Sequence, residues 1–325
     1  MAGSAGSDLA SAVTLAGGLG QIGSANDLSA LETELTSPAI TNLSRTSSGH
    51  LPVGVGLLLF LIKRDDAMAV LHRHRPAVIW LFAASETADY ASWVKHARQA
   101  SSGSLLFVQT GSVRDAVQIA REAAPDVLVV QGADAGGHGL AKSAGLLSLL
   151  PEVQDALARE GLEGVRVVGS GGITDGRGAA AALALGAQGV VMGTRFLGAP
   201  ETMIDPRWRK AVLQAKDGGR ETVKSMLFDE LRGPSIWPRG YDGRGIANES
   251  SEDFEKGVGI DQVRKLYAEA SQHEDKGFGV GGKGRAAMWA GTGVGLVAKE
   301  QSAAEIVNEV REGAVKAVEA ARSLI

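Results

Sequence analysis

The chain has no cysteine. That absence removes disulfides, thiolate nucleophiles, iron–sulfur clusters and cysteine-bound zinc in one step, while leaving the compartment open. Basic charge is not in excess either: 33 Lys and Arg stand against 37 Asp and Glu, a net charge of -4. A nucleic-acid partner needs a concentrated basic face to displace counterions from phosphate, and none is present. No apolar run reaches the roughly 18–20 residues that span a bilayer. The longest, Val53–Ile62, has the length of a buried strand with its continuation. The opening segment Met1–Ser7 is small and polar, without the basic-then-apolar order of a secretory leader. A cytoplasmic protein that binds neither nucleic acid nor membrane is expected.

Glycine, by contrast, is plentiful: 44 residues, with no Gly-X-Y period and no low-complexity tract. Glycines spread in this way serve turns and close backbone approaches. The 325 residues suffice for one large α/β barrel or for two ordinary domains. Strands are predicted near Leu19–Ile22, Val53–Leu58, Ala77–Leu81, Leu105–Gln109, Val127–Gln131, Val165–Gly169 and Gly189–Met192. Helical periods lie between them, at Asp27–Leu35, Asp65–His74, Ala88–Ala100, Val113–Ala124, Gly145–Arg159 and Gly176–Leu185. The strands are apolar throughout rather than alternating, so both faces must be covered, as in a parallel sheet. The rhythm implies βαβ units, arranged as a barrel or as a doubly wound sheet.

Ser4–Ala16 reads as a helix running straight into Gly17-Gly18-Leu19-Gly20, so the strand expected before it is missing. Seven strands are counted where a closed barrel needs eight. After Thr194 the rhythm breaks. Residues 199–285 are more polar, with helical patterns at Asp205–Ala215 and Ile260–Ser271 and no strand of similar quality. The expected organisation is a barrel built from residues 1–198 and 286–325, interrupted by a small helical subdomain over 199–285. The final helix, Ser302–Ile325, is expected to pack back on the barrel wall.

Two consecutive strand ends carry the strongest chemical signal. The first runs out in Ser170-Gly171-Gly172-Ile173, followed by Thr174 and Asp175 as candidate helix caps. The second ends in Val191-Met192-Gly193-Thr194, beside the cation of Arg195. Amides in such turns, with a helix N-terminus behind them, form a phosphate cradle that glycine lets a ligand approach. Paired turns of this kind match the phosphate site built after strands 7 and 8 of many barrels. The plainer reading is that the glycines only make tight turns. A further candidate is Gln131, which closes a buried strand and so should turn its amide toward the catalytic face. It leads into Gly132-Ala133-Asp134-Ala135-Gly136-Gly137-His138-Gly139. A histidine among glycines, with no apolar face to join, is either solvated or aimed at a ligand. Gln109 ends the preceding strand in the same manner. Trp237, Tyr241 and Trp289 read as local core or as pocket lining.

With these motifs in place, the chain resembles the nitronate monooxygenase family. The resemblance covers nearly the whole sequence and rests on Ala16–Gly20, Gln131–Gly139, Ser170–Ile173, Met192–Phe196 and Trp289–Gly293. It implies an FMN-binding TIM (β/α)₈ barrel with an added helical domain, oxidising alkyl nitronates and nitroalkanes with O₂ to carbonyl compounds and nitrite. It also implies FMN contacts from Gln131, Gly136, Gly171, Gly172, Val191, Met192, Gly193 and Thr194, and a catalytic base at His138. Two departures stand out. Met1-Ala2-Gly3 matches only the tail of the family's first strand, so strand 1 is expected to be absent. Gly56 stands where the family often has Asn, so a side-chain contact to FMN is lost there or is supplied by Gln109.

Other readings on the same scaffold are an FMN-dependent NAD(P)H:quinone or enoyl-thioester reductase and a truncated, non-catalytic barrel. Fold alone does not separate them. Barrels of the IMP dehydrogenase type need a catalytic cysteine, which this chain lacks.

Overall fold

The computed structural model describes residues 3–23, 27–279 and 283–324. Met1 and Ala2, on which the expected loss of a first strand rests, lie outside the described residues. Ten strands occur among the described residues. They are β1 (Gln21–Gly23), β2 (Leu51–Leu58), β3 (Pro76–Phe82), β4 (Leu105–Thr110), β5 (Val127–Gln131), β6 (Gly137–Leu140), β7 (Arg166–Ser170), β8 (Val190–Val191), β9 (Thr222–Ser225) and β10 (Tyr241–Ile246). Seven of them form one parallel sheet in the order β1-β2-β3-β4-β5-β7-β8.

That order settles the choice left open by the pattern. A doubly wound sheet reverses its strand order at a switch point; this one never does. Right-handed crossovers that always step the same way put every connecting helix on one face. The opposite face must then curl inward on itself, as in a barrel. β1 pairs only with β2, and β8 only with β7, so the described sheet stays open between β1 and β8. Ser4 and Ala5 lie across that opening: Gly23 donates its amide to the Ala5 carbonyl, and Met203 donates to the Ser4 carbonyl.

Side chains alternate along each strand, and the alternation sorts them by layer. Val55, Leu57, Ile79, Leu81, Leu106, Val108, Leu128 and Val130 join the helices in the main core. The intervening residues turn inward: Gly54, Gly56, Trp80, Phe107, Gln109, Gln131 and Ser170. Trp80 is the register neighbour of Gly56, and its indole N–H donates to Gln109 Oε1 at 3.1 Å. Helix starts follow from local chemistry. Asp27, Ser112 and Asp175 accept amide hydrogen bonds at N-cap positions, and Ser302 with Glu305 forms a reciprocal capping box.

Over residues 199–285 the sequence pattern predicts helices only, and here the structure differs. Besides Pro206–Gln214 and Ile260–Ser271 the segment contains β9 and β10, which join β6 in an antiparallel sheet of order β6-β10-β9. β9 and β10 are short and rich in Lys, Arg, Asp and Gly, so they carry no apolar run to announce them. His138 changes class for the same reason. It stands on β6, opposite Gly243 of β10, rather than in a free loop.

The last helix, Ala303–Arg322, lays Ile306 and Val310 into the main core. It crosses the helix Gly176–Ala184 so closely that a Cβ on Gly176 would overlap the backbone of Gly313 and Ala314. No helix among the described residues is long and apolar enough to cross a membrane. Gly176→Ala is expected to lower stability by about 1–3 kcal/mol through overpacking. Denaturant midpoints check this, with Gly164→Ala as control, since a Cβ there meets nothing within 4 Å.

Candidate active site

The C-terminal ends of the parallel strands meet at one mouth, where barrels place their chemistry. Gln131, Ser170 and Val191 stand side by side in a single register row across β5, β7 and β8. Beyond Ser170 the chain turns through Gly171 (φ +97°) and Gly172 (φ +74°), a left-handed conformation that glycine adopts without strain. The amides of Gly171, Gly172, Ile173, Met192 and Gly193 donate to no acceptor among the described residues. The hydroxyl of Thr174, 1% exposed, also has no partner. A Cβ on Gly193 would meet nothing within 4 Å. The turns after β7 and β8 therefore carry donors without protein acceptors among the described residues, and Gly193 borders open space, features that suit an anion.

Asp175 caps the helix Gly176–Ala184 itself, accepting from the amides of Arg177 and Gly178, so the turn amides rather than the helix N-terminus face the opening. The two groups expected beside the second turn are already engaged. Thr194 Oγ1 accepts from the Gly291 amide at 2.9 Å. Arg195 is buried and points away, to Gln301 and to Glu309 at 3.2 Å.

The return segment 289–293 locks onto this mouth. Thr292 donates its amide to the Asp134 carbonyl at 3.0 Å and its hydroxyl to Asp134 Oδ1 at 3.1 Å. A Cβ on Gly136 would overlap the backbone of Ala290 and Gly291, and one on Gly293 would overlap Thr174 Oγ1. Gly136 is thus required for backbone packing.

His138 is held from several sides. Gln131 Nε2 donates to its backbone carbonyl at 3.2 Å. Its Nε2 lies 2.6 Å from Asp229 Oδ1, in the turn Leu227–Glu230. Trp237 stacks on the imidazole with centroids 3.8 Å apart and planes 11° from parallel, and Trp289 approaches at 4.6 Å. Trp237 in turn rests on Phe60 at 4.7 Å, just past the end of β2. The imidazole Nδ1 makes no hydrogen bond among the described residues. A neutral histidine with one nitrogen fixed and the other free is a proton acceptor of defined direction.

Beside Gln131 lies a cavity of about 200 Å³, lined by Gln109, Tyr90, Tyr241, Asp115 and Arg239 among others. The Oε1 of Gln109 is committed to Trp80, and Trp80 is also the neighbour of Gly56, so any contact replacing a lost one at Gly56 must come from the amide end of Gln109. Burial, reinforced by the nearby Asp115 carboxylate, pushes the Tyr241 hydroxyl up to about 12. Burial and Tyr241 push Tyr90 well above its ordinary range.

Of the residues read from the sequence as one site, Gln131 and Val191 share the register row with Ser170, and Gly171, Gly172, Met192, Gly193 and Thr194 follow in the turns after β7 and β8. Gln131 also bonds the His138 carbonyl, while Gly136 and Thr194 both meet the 290–291 segment. Sequence reasoning missed Asp229. It lies 91 residues from its histidine, and a lone Asp before Glu230 has no motif to mark it. Trp237 and Trp289 prove to be ring neighbours of His138.

The chain matches the nitronate monooxygenase family over residues 64–313. Nitronate monooxygenase npaC of Metarhizium robertsii is 41% identical over 319 residues, covering 95% of this chain and 87% of that protein. The nitronate monooxygenase of Neurospora crassa is 40% identical over 330 residues, covering 94% and 85%. Among solved structures, nitroalkane oxidase from Streptomyces ansochromogenes superposes with a TM-score of 0.73 at 22% identity, covering 98% of this chain and 94% of that one. At that identity the likeness bears on the fold alone.

The tyrosine pair leaves an alkaline signature. Both hydroxyls stay protonated in the fold above the pH, near 10.0, at which tyrosine ordinarily ionises. Their contribution to stability is therefore complete below about pH 10 and is lost as pH rises through the raised folded value. Melting temperature is expected to fall between about pH 10 and 12, and Tyr241→Phe to flatten part of that fall.

Proposed function

The chain belongs to the nitronate monooxygenase family, and from that membership we propose that it oxidises alkyl nitronates, and the nitroalkanes that yield them, with O₂ to carbonyl compounds and nitrite, using bound FMN. The observation that carries the catalytic assignment is the condition of His138, with Nε2 engaged by Asp229 and Nδ1 without a hydrogen bond among the described residues.

The residues present suit the flavin. The unpaired amides of Gly171, Gly172, Ile173, Met192 and Gly193 offer donors for its phosphate, with Val191 and Thr194 bordering them and Gly136 shaping the wall. Gln131 stands in register with Ser170, where the first turn begins, and lines the cavity beside Gln109 and Tyr241. Redox chemistry at the substrate carbon is what FMN supplies when bound; the protein's part is position and proton transfer.

An ionised carboxylate only accepts hydrogen bonds, so Asp229 places the proton of neutral His138 on Nε2 and the lone pair on Nδ1. Nδ1 then takes the proton from the carbon next to the nitro group of a neutral nitroalkane. For a preformed nitronate there is no proton to remove, and the same ring, once protonated, donates from Nδ1 to the nitro oxygens. The aromatic surround of Trp237, Trp289 and Phe82 limits water at that step.

We read residues 1–198 and 286–325 as the flavin-binding body and 199–285 as an insertion. One apolar cluster supports this: Leu227, Phe228, Leu231 and Val263 pack together apart from the main core, while a second cluster, with Val212 and Val294, joins the two parts.

His138→Ala is expected to lower kcat/KM for a neutral nitroalkane by roughly 10²–10⁴-fold, the usual contribution of a positioned base, and to affect the preformed nitronate far less. Equal losses on both substrates would remove the base assignment. NADPH-driven quinone reduction without nitronate turnover in the wild type would instead support a reductase. For the cradle, Gly193→Asp is the clean variant, because φ is -115° and a Cβ finds open space there. It should fold normally by circular dichroism yet lose FMN; retention of FMN at full stoichiometry would be incompatible with the cradle.

A further inference from the structure

The charge around His138 is one-sided. The Asp229 side chain is 8% exposed, its Oδ1 contacts only His138, and its Oδ2 is buried without a hydrogen-bond partner. No Lys or Arg among the described residues forms an ion pair with it. A carboxylate taken out of water for a single contact is poorly compensated while that contact is neutral, and well compensated once it becomes a cation. The indole face of Trp237 lies parallel to the imidazole at 3.8 Å, and Trp289 stands at 4.6 Å. Both attract a cation more than a neutral ring.

The other charged groups on the surrounding elements are occupied elsewhere. Lys224 of β9 pairs with Asp242 of β10 at 3.0 Å. Arg244 of β10 turns to the Ala133 carbonyl and the Thr222 hydroxyl. Arg264, from the helix packed on the Asp229 turn, pairs with Asp261 and donates to the Glu230 carbonyl. The Glu230 side chain makes no ion pair with the imidazole, and Tyr241 lies one pair of residues along β10 from the register partner of His138.

We propose that the 199–285 segment completes the catalytic base: Asp229 acts as a positioning residue that orients His138 and stabilises its protonated form, with Trp237 as the second jaw of the clamp. This rests on the functional reading above, in which His138 accepts a proton. Both jaws are backed by packing. Leu227 and Phe228 anchor the Asp229 turn, with Phe228 edge-on to Trp289 at 84°, while Phe60 and Tyr241 brace Trp237. The base thus stands on β6 and its support comes from the insertion. Neither part of the chain makes a competent base alone.

The test uses the full-length protein with Asp229→Asn and Asp229→Glu. Asp229→Asn keeps the size of the side chain but removes its charge. The acidic limb of kcat/KM for a neutral nitroalkane is expected to move about 1 pH unit or more lower, since the neighbouring charge no longer favours imidazolium. Turnover at the plateau should fall at least about tenfold, while the preformed nitronate is little affected. The ring protons of His138, titrated by NMR without added FMN, should show the same downward displacement. Asp229→Glu should restore much of the limb position. An unmoved limb together with an unmoved NMR titration overturns the proposal, as does an equal loss on both substrates. Should the wild type fail to oxidise nitronates while the NMR titration still depends on Asp229, the pairing stands and the assigned reaction falls.

Discussion

The mouth of this protein depends on one close approach of backbone to backbone. Asp134–Gly136, just after β5, meets Ala290–Gly293, which lies more than 150 residues further along the chain. Gly136 and Gly291 permit a contact that any Cβ would block, Gly293 does the same against Thr174, and Thr292 bonds the Asp134 carbonyl and carboxylate in the same place. Thr194 joins through the Gly291 amide. The segments after β5, β7 and β8 are thereby tied into one body. The turn amides of Gly171–Ile173 and Met192–Gly193 are left without protein acceptors among the described residues.

The second consequence concerns His138. Because 290–293 is pinned, Trp289 is delivered beside the imidazole, and the strand pairing of β6 with β10 brings the 222–246 segment against it. Asp229 and Trp237 follow from that docking. The imidazole on β6 is therefore held by residues about 90 to 150 positions further along the chain. Packing ties the two together: Phe60 and Phe82, at the ends of β2 and β3, support Trp237 from below.

Much of the fold was legible because it is written in short-range chemistry. Val127–Gln131 is a continuous apolar run ending in a polar residue, and the strand has those bounds. Ser302 with Glu305 announces the start of the last helix, and the helix begins there. β9 and β10 were invisible because a strand of a small, half-exposed antiparallel sheet needs no apolar run; Lys224, Asp242 and Arg244 satisfy it through ion pairs and carbonyls. Arg195 misled for a related reason. Its position beside a phosphate-like turn is local, but its direction is set by Gln301 and Glu309, more than a hundred residues away.

Sequence by itself determined the βα rhythm, the glycine turns after two successive strands, the candidate base at His138 and the resemblance to a family. Each of these depends on neighbours within a few residues, where propensity, capping and turn geometry act. Only the tertiary structure decided that the sheet winds in one direction and that Arg195 turns away from the opening. It also decided that Gly136 serves packing and that Asp229 and Trp237 hold the imidazole. Those facts depend on which distant backbones come within contact distance, and that is a property of the packed chain, not of any window along it.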